Sequence, residues 1–194
     1  MRKVCSFFAL VLLISCGSKH YYRAVEQLDP MAEAQAFSDS LLQNGVDTLV
    51  TYLDACSGCL PGVENTYYIF WIEKGAWKLT KINQYSRYKI VSPLHFPIFF
   101  LANEAKAIMS DPIEKPYFQM LHYHYEVLKV HIGNTRYQFR IDEFEKNRNQ
   151  NNYKVWAIDK LRADLFELQP GLWQALDYKY EKVKEESFPF KHNY

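Results

Sequence analysis

Two turn segments, Glu73-Lys74-Gly75 and Gly133-Asn134, each lie between runs of residues that favour strands. They constrain the fold more than any other feature of the chain. Tyrosine, phenylalanine, threonine and the β-branched residues suit a pleated surface, and a short turn between two such runs gives an antiparallel hairpin. The first hairpin is expected from strands at 66–72 and 76–82, the second from strands at 117–131 and 135–144. In the first run Tyr67, Ile69 and Trp71 share one face and Tyr68, Phe70 and Ile72 the other. Both faces are apolar, so this strand is expected inside a sheet covered on both sides. In the second hairpin Glu126-Val127-Leu128-Lys129-Val130-His131 alternates, as in a half-buried strand.

Helical signals flank these runs. Asp29-Pro30 combines a good N-cap with a residue favoured at the first helical position. Met31, Ala34, Phe37, Leu41 and Leu42 follow at helical spacing, and Asn44-Gly45 ends the helix. A strand is expected at 46–54, a loop at 56–65 and an extension of the sheet at 85–91. A second helix is expected at 98–109 and a polar loop at 147–152. Val155, Ile158, Leu161, Leu165 and Leu168 suggest a helix, although 153–158 alone suits a strand equally well. Pro170-Gly171 precedes a last expected helix at 172–185, and 187–194 reads as a loose tail. The pattern is α+β: one domain over 29–186, with a mainly antiparallel sheet built from hairpins and flanked by helices.

The first residues stand apart. Arg2-Lys3 precedes an apolar run at 4–14, and Ser15-Cys16-Gly17 follows. The layout is that of an export signal. The run is shorter than the roughly 20 apolar residues that span a bilayer. Leu13-Ile14-Ser15-Cys16 resembles the lipobox of bacterial lipoproteins. That resemblance implies cleavage of 1–15, acylation of Cys16 and a tether over 16–28. Two or more acyl chains convert reversible docking into stable attachment. Cys5 lies inside the apolar run with no such motif ending at it. By analogy with lipoprotein sorting, Gly17-Ser18 implies the outer membrane of a Gram-negative cell, with the domain on the periplasmic or outer face.

Loss of Arg2 and Lys3 leaves 21 Lys+Arg against 22 Asp+Glu, a net charge near −1. That balance, with no basic stripe, argues against nucleic acid as a partner. Aromatic residues are abundant, with 15 Tyr, 13 Phe and 4 Trp. Tyrosine fits strand positions, and it also suits glycan or peptide binding because it joins an apolar face to a polar tip.

Cys56-Ser57-Gly58-Cys59 is the first candidate for chemistry. Such a pair serves as a structural disulfide, a redox dithiol or half of a zinc site. Leu60 stands where haem attachment needs histidine, and Pro61-Gly62 stands where a thioredoxin-like helix would run. Export favours the disulfide. His122 and His124, two apart on an expected strand, share a face and with Cys56 and Cys59 could complete a Cys₂His₂ site; His131 has opposite parity. The acids Asp142, Glu143, Glu145, Asp159, Asp164 and Glu167 have the spacing of solvated faces. No nucleophile elbow, phosphate-binding glycine loop or zinc-protease motif occurs in the sequence.

The sequence therefore implies a lipid-anchored envelope protein with a non-catalytic binding or accessory domain and no cofactor. Its partners would be the membrane, through the lipid, and an envelope protein or glycan. Two other expectations stand beside it: a thiol redox or metal-binding protein centred on Cys56 and Cys59, and a glycan-binding module.

Overall fold

The computed structural model describes residues 29–59, 65–83, 90–92, 98–117 and 121–167. The expected signal and tether with Cys16, the helix at 172–185 and the tail lie outside the described residues. So does most of the run at 85–91, of which Val91 forms a single antiparallel bridge with Leu79.

Helix α1 (Pro30–Gln43) forms as its sequence dictates. The Asp29 carboxylate accepts from the N–H groups of Met31 and Ala32 at 3.0 and 3.2 Å, which satisfies donors left open at a helix start. Gly45 follows at φ +81°, a conformation that costs glycine little.

Five antiparallel strands make one sheet in the order β3-β2-β1-β4-β5. They are β1 (Thr48–Ser57), β2 (Thr66–Glu73), β3 (Ala76–Ile82), β4 (Tyr123–Ile132) and β5 (Thr135–Asp142). The fold is α+β with a single antiparallel sheet. β2 lies inside it with both faces buried, while β1 holds the middle. On one face Val50, Tyr52, Phe70, Leu79, Leu128 and Ile141 pack beneath the helices that follow β3 and β5. On the other, Leu49, Leu53, Ile69, Trp71 and Ile82 pack beneath Ala34, Phe37 and Leu41 of α1. The described residues thus form a sheet between two helical layers, with α1 packed chiefly over β1–β3 on its face.

Several boundaries differ from the expectation, each for a physical reason. β1 runs past Asp54 to Ser57, because its last residues find a partner in β4: Cys56 lies opposite His124 and Ser57 opposite Tyr123. Cys56 therefore belongs to a strand end and not to a loop. β4 starts at Tyr123 and not at 117, where β1 ends and pairing ceases. The helix expected at 98–109 divides at Glu104 into α2 (Phe100–Asn103) and α3 (Ala105–Ser110). β5 stops at Asp142 because that side chain caps α4 (Glu143–Arg148), accepting from the N–H groups of Phe144 and Glu145 at 2.9 and 2.8 Å. Glu145 reaches back to the Asp142 N–H, completing a capping box, and α4 takes up the start of the expected loop. The segment from 153 is helical: α5 (Tyr153–Glu167) buries Val155, Ile158, Leu161 and Leu165. Its start is held by Asn152, which accepts from the Lys154 N–H, and by Asp111, which accepts from the Tyr153 N–H.

Candidate functional sites on the two sheet faces

The side chains of Tyr52, Asp54 and Cys56 follow one another on one face of β1. Across the ladder stand Leu128, Glu126 and His124. Antiparallel register thus builds a polar stripe that leads from the core to the sheet end. Its inner part is buried. Tyr52 donates its hydroxyl to Glu126 Oε1 at 2.6 Å. Lys146 of α4 reaches Glu126 Oε2 at 2.9 Å and Asp159 of α5 at 2.6 Å, and Arg162 of α5 approaches Glu126 at 3.5 Å. Burial, reinforced by the Glu126 charge, pushes the Tyr52 hydroxyl far above the usual tyrosine range. Asp54 is also pushed up, first by burial and then by Glu126. Arg162, His124 and Lys146 pull it the other way. The sequence carried one signal of this network: Glu126 occupies the parity of Leu128 and Val130, an acid on an apolar face. Lys146 and Arg162 gave none, because helices distant in sequence bring them in.

At the outer end of the stripe Cys56 and Cys59 are joined by a disulfide, with Cα atoms 5.7 Å apart, as such a bond requires. The Cys56 N–H donates to Asn65 Oδ1 at 3.1 Å, which replaces the missing β2 partner beyond Thr66. Gly58 turns the chain at φ +69°. A Cβ there would run into the Leu121 carbonyl, so only glycine fits. His122 Nδ1 hydrogen-bonds the Gly58 carbonyl oxygen, which clips this turn to the start of β4.

Cys56, Cys59 and His124 come together: their sulfur and ring-nitrogen atoms all lie within 4.8 Å of one another. Both sulfurs are half-buried and the imidazole is exposed. His122 is engaged with Gly58 and is not part of that cluster. His131 lies on the opposite face, as its parity implied, and burial lowers its pKa, with Arg136 adding to the effect. Four of the six acids have partners in the structure. Asp142 and Glu145 serve the helix cap, Asp159 meets Lys146, and Asp164 lies 3.5 Å from Lys160.

The opposite sheet face carries a groove of about 400 Å³ between α1 and strands β4 and β5. Met31, Leu42 and Tyr67 form its apolar side, and Lys129, His131 and Arg140 its polar side. Asp39 is the only acid in its lining among the described residues. Arg140 lies over the Tyr125 ring, 4.0 Å from its centroid, and donates to the Tyr123 hydroxyl at 2.7 Å. Lys129 donates to Gln35 at 3.2 Å. Both cations are therefore held in place by neighbours.

Trp71 is buried, Trp77 packs edge-on to Phe99, and Trp156 packs edge-on to Phe100 and Tyr153. Among the described residues no helix is long and apolar enough to cross a membrane. Compared with protein-family models, curated proteins and solved structures, the chain matches none.

Proposed function

We propose that this chain is a lipid-anchored protein of the bacterial envelope, tethered through Cys16, whose domain acts by binding an anionic partner. The anchor rests on Leu13-Ile14-Ser15-Cys16 behind a short apolar run. Gly17-Ser18 favour the outer membrane of a Gram-negative cell as its place. The observation that carries the binding role is the groove beside α1. It is preformed by a helix and two strands, and Lys129 and Arg140 stand against a single carboxylate. Arg136, opposite His131 in the ladder, adds a further cation on these strands. Such a concave surface with a few converging polar groups is the usual form of a binding site.

Metabolic labelling with radioactive palmitate tests the anchor. Label is expected on the wild type and absent from Cys16→Ala; label that survives the substitution rules the anchor out. The groove is tested by titrating the full chain in detergent with polyglutamate and with a carboxylated oligosaccharide. Binding to at least one is expected, weakening as salt rises and lost in Lys129→Glu/Arg140→Glu. Binding to neither, or unchanged binding by the double variant, removes the groove from the proposal without touching the anchor.

A further inference from the structure

The disulfide turn and His124 have the composition of a zinc site and not of a turn staple alone. Two thiolates and one imidazole are the ligands that zinc prefers, at Zn–S and Zn–N distances of about 2.3 and 2.0 Å. Three features place them together. The β1–β4 register sets Cys56 directly opposite His124, so their side chains project from the same face of the sheet. Gly58 bends the chain so that Cys59 returns to Cys56. The His122 bond to the Gly58 carbonyl then ties that turn to the strand that carries His124. With the three ligand atoms within 4.8 Å of one another, small side-chain rotations bring them to a common centre. The exposed imidazole leaves the solvent side open.

We propose that Cys56, Cys59 and His124 form a redox-gated site for zinc, with three protein ligands and a fourth position open to solvent. A dithiol reductant supplies two electrons and two protons to break the S–S bond, leaving two thiols, and is itself oxidised to a disulfide. Zinc then binds. Both thiols release their protons to water, two Zn–S bonds and one Zn–N bond form, and two protons leave per ion. Oxidation of the pair by a disulfide reverses the sequence and releases the ion. An open fourth position distinguishes an exchanging or reactive site from a closed structural one.

The test uses the full chain with Cys5→Ser and Cys16→Ser, so that Cys56 and Cys59 are the only cysteines. The protein is reduced, freed of reductant without oxygen and titrated with cobalt(II), then with zinc. One cobalt per chain is expected, with the visible bands of tetrahedral cobalt and a thiolate charge-transfer band, both erased by one equivalent of zinc. Two protons should appear per zinc in weak buffer. The oxidised protein should bind neither ion, and Cys56→Ser or Cys59→Ser should lose the charge-transfer band. His124→Ala should weaken zinc binding by about 100-fold, the upper end of what loss of even an outer-shell partner costs. His131→Ala, on the other face, should leave binding unchanged. Circular dichroism of each variant separates a lost ligand from a lost fold. A reduced protein that shows no charge-transfer band, or a folded His124→Ala variant with wild-type affinity, overturns the proposal.

Discussion

Glu126 occupies a core position as a charge and is compensated from three elements. Tyr52, Lys146 and Arg162 reach it from β1, α4 and α5. Removing one member of a buried charged cluster strands the others, at a cost of about 3–5 kcal/mol. Lys146 and Arg162 keep 19% and 39% of their side-chain surface and can turn to water, so Glu126→Ala should sit at the low end, about 3 kcal/mol. Tyr52→Phe removes one hydrogen bond and should cost about 1.5 kcal/mol. Urea unfolding of both variants checks the order; equal losses would refute it. Asp54 behaves oppositely. Burial and Glu126 raise its pKa in the folded state, so the folded protein holds that proton more tightly than the unfolded chain does. The resulting stability is fully present below the ordinary aspartate range and is lost as pH rises through the folded pKa. Asp54→Asn should therefore raise the urea midpoint at neutral pH and leave it nearly unchanged in acid. A midpoint that falls at neutral pH would show that the charged form is stabilised.

At the scale of elements, the first hairpin turns on two residues. Lys74 at φ +50° and Gly75 at φ +74° both take left-handed conformations. This is the turn whose twist matches paired strands, and asparagine followed by glycine suits it best. Nothing lies within 4 Å of a Cβ built on Gly75, so the cost of Gly75→Ala is conformational, about 1 kcal/mol. Lys74→Asn should stabilise by about 0.5–1 kcal/mol. Thermal unfolding reads both shifts. This hairpin was legible because its turn and its strand propensities agree. α1 was legible because cap, apolar spacing and terminating glycine agree. α4 was missed although Asp142 and Glu145 stand at capping-box spacing, because a six-residue helix has too few apolar positions to show a period. α5 was ambiguous for the opposite reason. Its first residues suit strand and helix alike, and the choice falls to the core that receives Val155, Ile158 and Leu161.

At the scale of the molecule, the sheet and its two apolar faces carry the stability, and the disulfide closes only the loop from 56 to 59. On the chain-entropy account so small a loop contributes about 2 kcal/mol. The double variant Cys56→Ser/Cys59→Ser should stay folded, with the circular dichroism spectrum unchanged and unfolding free energy lower by about that amount. A chain that fails to fold would show that the bond is essential to the architecture. A fold that outlasts the bond would let the pair cycle between disulfide and dithiol with the β1–β4 register in place.

Alternation, caps and turn residues determined by themselves the class of fold, both hairpins, the first helix and the two-sided burial of β2. Those signals act between residues a few positions apart, and their physics is local. The tertiary structure decided what depends on residues distant in the chain. The β1–β4 pairing, which sets Tyr52 opposite the distant Leu128, set the order of the strands. The same pairing carried β1 on to Cys56, brought His124 to the sulfurs and left His122 on the turn. It also placed β4 and β5 beside α1, where the groove lies. Register is fixed by which side chains bury together across the whole sheet, and that choice is made only when the sheet closes on its two helical layers.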